Sequence, residues 1–152
     1  MSREGDLMRR AFKRLLLPAL QDLGFHGRGS TFQRALPQSL DLLSIQYWKY
    51  GGEFLLECAR RERGPLHTSW GEVVPEEKLD VAYVDPRQRA RLEQRGPTAG
   101  PGFQGFCFAG FGEDVARYEG LAAQVVALLP EVDAWLAHGR AGTHLRPYFN
   151  AS

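Results

Sequence analysis

Three alternating stretches between Thr31 and Arg60 constrain the fold more than any other feature of the chain. In Thr31 to Leu36, Phe32, Arg34 and Leu36 point to one side, and Thr31, Gln33 and Ala35 to the other, as side chains of a strand do. Pro37-Gln38 supplies a turn. Leu40 to Tyr50 is then rich in β-formers, with Leu43, Ile45 and Tyr47 opposite Leu42, Ser44, Gln46 and Trp48. Gly51-Gly52 is a hairpin signal, and Glu53 to Arg60 alternates Phe54, Leu56 and Cys58. Connections this short leave no room for a crossover helix, so the strands are predicted to form an antiparallel meander.

Residues 6 to 23 read as an amphipathic helix before this sheet. Met8, Phe12, Leu15, Leu16, Ala19, Leu20 and Leu23 recur at spacings of three and four, and Arg9, Arg10, Lys13 and Arg14 fill the other face as a solvated surface. Pro18 predicts a kink, or a restart with Pro18 in a first turn. The Gly-rich stretch LGFHGRGSTFQRAL (residues 23 to 36) invites a phosphate-loop reading that its order refutes. A phosphate loop follows a strand and opens a helix, whereas here the helix comes first. Gly24 instead suits a left-handed helix cap, with Phe25 folding back onto Leu20. Gly27 and Gly29 leave room for a nest of backbone amides beside Arg28.

Further along, Trp70 to Val74 is a brief extended piece, and Leu79, Val81 and Tyr83 alternate like a strand. Residues 85 to 96 fit a surface helix starting at Asp85-Pro86 or an edge strand with outward arginines. Residues 96 to 102 (GPTAGPG) are a flexible loop by composition. Val115, Tyr118, Leu121, Ala122, Val125, Leu128 and Leu129 form a helical stripe behind Glu113-Asp114, and Pro130 is predicted to open a second short helix ended by Gly139. The tail, 139 to 152, is expected to be loosely ordered unless Leu145, Tyr148 and Phe149 dock. One α+β domain over residues 1 to 152 results: a meander of about four to five strands, with the N-terminal helix and the C-terminal helices on one face.

Composition narrows the function. A formal net charge of +1 argues against a protein built to hold nucleic acid or anionic membrane. Seven arginines (Arg60, Arg61, Arg63, Arg87, Arg89, Arg91 and Arg95) would be the source of a nucleic-acid patch, and interleaved Glu62 and Glu93 weaken it. No uninterrupted apolar run approaches the ~20 residues of a membrane span. The N-terminus lacks a secretory signal pattern, and Cys58 and Cys107 read as isolated thiols, so a cytoplasmic, reduced setting is expected.

The run L-x-x-L-G-F-x-x-x-G-x-x-F-x-R from Leu20 to Arg34, the strand with Ile45-Gln46, and the LLPEVDAWL segment from Leu128 to Leu136 together resemble bacterial proteins grouped as domain of unknown function 4304. The resemblance covers most of the chain, residues 61 to 102 least. It implies a small standalone α+β protein and brings no catalytic residues with it.

No catalytic motif stands out. His26, His67, His138 and His144 are scattered, so neither a metal nor a cofactor is expected. Two candidate sites remain. A ligand or anion pocket is expected near Arg28, Arg34, Gln46 and Trp48. Where they are exposed, Phe103, Phe106 and Phe111 of the dense FQGFCFAGF segment are expected to form a protein-binding patch; where buried they are the last strand and its core contacts, and burial is expected for at least half of its four phenylalanines. The leading expectation is a non-enzymatic protein-binding or accessory module, resembling toxin-immunity proteins by analogy; the alternative is a small-molecule or anion binder, or a small enzyme. Oligomeric state is not legible.

Overall fold

The computed structural model describes residues 2–95 and 104–148. The chain opens with α1 (Arg3–Ala11), capped by Ser2, whose hydroxyl accepts from the amide of Gly5 at 3.0 Å. A π-helical turn (Phe12–Leu16) and α2 (Leu17–Asp22) continue it. Pro18 explains the interruption. It has no N–H to give, and in a regular α-helix its ring would press on the carbonyl of Arg14. The wider turn, closed by the Leu17 amide on the Phe12 carbonyl, precedes it, and Pro18 sits in the first turn of α2 as expected.

α2 ends in the predicted cap. Gly24 has φ +94°, its amide reaches the Gln21 carbonyl at 2.9 Å, and the Phe25 amide reaches the Leu20 carbonyl at 2.9 Å. This pair of bonds turns the chain directly into the sheet, with Phe25 buried.

Among the described residues the sheet contains seven strands, where about four to five were expected. β1 (His26–Arg28), which was not expected as a strand, pairs with β2 (Thr31–Ala35), and β2, β3 (Ser39–Tyr47) and β4 (Glu53–Glu62) form the predicted antiparallel meander. A separate two-stranded ribbon, β5 (Leu66–His67) and β6 (Val73–Val74), follows. β7 (Arg89–Leu92) and β8 (Phe106–Cys107) both pair with β4, and β9 (Leu145–Pro147) returns to flank β7. The 85–96 region is therefore a short 3₁₀ turn (Pro86–Gln88) and then a strand, which β9 keeps from being the sheet edge.

Two further expectations need correction. Leu79, Val81 and Tyr83 do not form a strand. Pro75 and Pro86 bracket two 3₁₀ turns (Glu76–Lys78 and Val81–Tyr83), and the Asp80 side chain caps the second at the amide of Ala82. Pro130 opens no new helix, because α3 runs unbroken from Val115 to His138. Pro130 lies on the exposed side of the helix, while Val125, Leu129, Val132 and Leu136 remain buried on either side of it. Within the tail, Leu145 docks in the core and β9 pairs with β7, the docking on which its order was expected to depend. The 96–102 loop and Phe149 lie outside the described residues.

The α1–α2 segment and α3 pack on one face of the sheet over Phe32, Leu43, Ile45, Phe54, Leu56 and Leu92. α3 is long and apolar enough to cross a membrane by length and composition, yet this stripe of it lies against the core. On the opposite face, Leu40, Leu42 and Ala59 form a second, smaller core with Val74, Leu79, Val81 and Val84. Its connecting segment is held by Gln33, whose Nε2 donates to the carbonyls of Glu76 (2.9 Å) and Leu79 (2.8 Å).

Candidate functional site

The helical stripe Arg9, Phe12, Lys13, Leu16 and Leu20 stands over the end of β3 and the β1–β2 hairpin, and a groove of about 450 Å³ lies between them. Phe12, Leu16, Leu20, Phe32, Ile45 and Tyr47 make it apolar. Gly27, Arg28, Gly29 and Ser30 form one rim, its two glycines without side chains. Gly27 is required there: a Cβ at this position would sit 2.0 Å from the Thr31 carbonyl oxygen, so only glycine allows the two short strands to close.

The charges around the groove are of one sign. Arg9, Lys13 and Arg28 line it, and among the described residues no carboxylate does. Neighbouring cations are neutralised: Arg3 binds Glu113 at 3.2 Å and Arg14 binds Glu119 at 3.3 Å. Arg9 instead lies over the ring of Tyr47, 4.4 Å from its centroid. Burial pushes the Tyr47 phenol above its ordinary pKa, and Arg9 pulls partly against it. Among the described residues, no ion pair forms at Arg9, Lys13 or Arg28.

The four residues expected to share a pocket are dispersed. Arg28 alone lines this groove. Arg34 is structural: its guanidinium binds buried Asp41 (2.9 Å), Asp133 of α3 (2.9 Å) and the Leu23 carbonyl (3.1 Å), and it covers Phe25. Gln46 points to the opposite face, donating to the buried carboxylate of Glu57, which Arg89 approaches at 3.7 Å. Trp48 follows β3 in the hairpin, packed edge-on against Tyr50. Strand alternation separates Arg34 from Gln46, because even positions of β3 face away from the helices while the Arg34 register partner, Asp41, faces them.

The phenylalanine patch is corrected as well. Phe106 is fully buried and stacked on Phe54, and Phe108 is buried beside it. Phe111 is half-buried, with its ring edge-on to Tyr118 and covered by Arg117 at 4.2 Å. Phe103 lies outside the described residues. No contiguous phenylalanine surface is left for a partner among the described ones.

Most of the arginines considered for a nucleic-acid patch are committed internally. Arg60 binds Asp41, Arg61 the Gly64 carbonyl, Arg63 Glu76, Arg87 Asp85, Arg89 the Val84 carbonyl, and Arg91 the Tyr148 hydroxyl. Among the described residues, no three His, Cys, Asp or Glu side chains gather as a metal-ligand set. Cys58 is buried, its thiol pushed well above the ordinary range by desolvation, which makes it a poor nucleophile.

Sequence reasoning assigned Arg9 and Lys13 to a solvated face and missed the groove. The signal present was the stripe of positions 9, 12, 13, 16 and 20, in which the cations stand at the border of the apolar face rather than opposite it. No family model, curated protein or solved structure matches this chain.

Proposed function

We propose that this protein is a non-enzymatic binding module whose groove takes a small amphipathic anion: an apolar body with one carboxylate or phosphate group. The observation that carries this reading is the pairing of an apolar groove of about 450 Å³ with three lining cations and no lining carboxylate. The volume falls within the range typical of small-molecule sites, and apolar walls with a few convergent polar groups are their usual make-up. The anion meets Lys13 and Arg28 at the mouth, and the backbone of Gly27 and Gly29 can approach closely because neither carries a side chain. The π-helical turn that forms one wall is a feature frequently found at functional sites.

A thermal-shift panel of alkyl and aryl carboxylates and phosphates, each with its neutral alcohol or amide, tests the reading. A ligand held only by the native state at a hundred times its Kd adds about 2.7 kcal/mol, roughly 5–11 °C for a domain of this size. Anions with apolar bodies are expected to give such shifts, and Lys13→Ala with Arg28→Ala to reduce them. Equal shifts from the neutral analogues, or none from any compound, overturn it.

A protein partner stands as the second reading, now on other aromatics: Tyr50 and Trp70 are each 74% exposed. The likeness to domain of unknown function 4304 is also carried as a proposal, supported by the helix, glycine cap and strand order of Leu20 to Arg34.

A further inference from the structure

A second cavity of about 230 Å³ continues the line of the groove. It is lined by Ser2, Gly5 and Arg9 from the helix, by Tyr47 and Trp48 from the strand side, and by Phe108 at the back. Ser2, Gly5, Arg9, Phe12, Leu16 and Leu20 recur at spacings of three and four, so one helical stripe forms the roof of both cavities. The floor is likewise continuous, running from Ile45 through Tyr47 to Trp48 along the end of β3. Among the described residues, Arg9 and Tyr47 alone line both, and their guanidinium-over-ring stack, 4.4 Å apart, stands between them.

We propose that the Arg9–Tyr47 stack is a removable wall that sets the length of a linear alkyl anion bound in the groove. The proposal rests on the anion-binding reading above and adds a ligand shape to it. The observation favours a linear occupant over a compact one, because the two cavities follow a helix and a strand end to end. The groove supplies three cations, whereas beyond the wall the lining adds one cation and one carboxylate, Lys49 and Glu53, and Trp48 and Phe108 offer apolar contact. Arg9 is the specificity-determining residue in this arrangement. Its stem and guanidinium fill the junction, and the stack holds it by a contact worth little enough to yield.

The test is a chain-length series of n-alkyl carboxylates, with n-alkyl phosphates as a second headgroup arm, titrated against the full chain. Each methylene that enters an apolar site improves affinity about fourfold. In the native protein the gain per methylene is expected to stop at a definite length. Arg9→Ala should move that limit outward by several carbons, while Lys13→Ala lowers affinity by a constant factor and leaves the limit in place. Arg9→Met, which keeps a long stem over the ring without the charge, should hold the native limit at reduced affinity. If native protein and Arg9→Ala share one limit, the wall is refuted and the anion site stands. If no alkyl anion of any length binds either protein, both readings fall together. Urea midpoints of the variants establish that each is folded before titration.

Discussion

Replacing Asp41 with Asn separates a structural arginine from a binding one. The Asp41 carboxylate is fully buried and accepts from two guanidinium groups at once. Arg34 reaches it through Nε at 3.0 Å and Nη2 at 2.9 Å, Arg60 through Nε at 2.6 Å and Nη2 at 3.1 Å. The amide keeps the shape but loses the charge and turns an N–H₂ toward a cation. Removing one partner of a buried ion pair costs about 3–5 kcal/mol, mostly the penalty of the charge left behind. Two features place Asp41→Asn at the lower end. The Arg60 side chain is 30% exposed and rehydrates, and Arg34 retains Asp133 and the Leu23 carbonyl. The expected loss is about 3 kcal/mol, or a fall in Tm of roughly 6–12 °C for a domain of this size. Urea unfolding followed by circular dichroism measures it, with an unchanged slope showing that the denatured state is the same. Anion binding in the groove should be unaffected once the variant is held below its melting range. A loss under about 1 kcal/mol would refute the reasoning, because it would mean the buried carboxylate is not what holds Arg34 and Arg60 in place.

Two other perturbations probe the hairpin and the second face. Gly27→Ala must push the Thr31 carbonyl away from a 2.0 Å contact, so it should displace Arg28 and weaken anion binding severalfold; β1 is a three-residue exposed strand, so the unfolding free energy measured in urea should fall by only about 1 kcal/mol. The Glu76 carboxylate is held down to about 2 from its usual 4.5, first by the Arg63 guanidinium and then by the Gly64 amide. Its contribution is therefore complete above pH 4.5 and drains away as the pH falls toward 2. Glu76→Gln should flatten that slope in urea titrations across this window and cost no more than about 1 kcal/mol at pH 7, since the Arg63 side chain is 40% exposed and the pair is screened.

How far these features were legible varies with how local their causes are. The meander followed from alternation and from Gly51-Gly52, and the Gly24–Phe25 cap from the two residues that make it. Local patterning failed where a distant contact decided the outcome. Leu79 and Val81 alternate like a strand but serve the second core, because Gln33 bonds the carbonyls of Glu76 and Leu79. Pro130 punctuates the sequence, yet α3 runs through it because the ring faces out while the apolar stripe on both sides is buried. The groove was out of reach for the same reason. Arg28 and Lys13 lie on separate elements, and only the packing of the helix over the hairpin brings them to one opening. Arg34, Gln46 and Trp48 were near enough in sequence to suggest a site, but strand parity sent them different ways.

The two ends of the sheet order have a consequence for how the protein behaves at high concentration. A sheet of this width is an invitation to edge-to-edge association, since unpaired amides and carbonyls along a border template another chain. Here both terminal strands, β1 and β9, are only three residues long. β1 carries a glycine and the charge of Arg28, and β9 ends on Pro147, which has no N–H to offer a newcomer. Pro147 thus works as a guard against fibril-like stacking, independent of any ligand. Its replacement by valine would be felt in solubility before it was felt in folding.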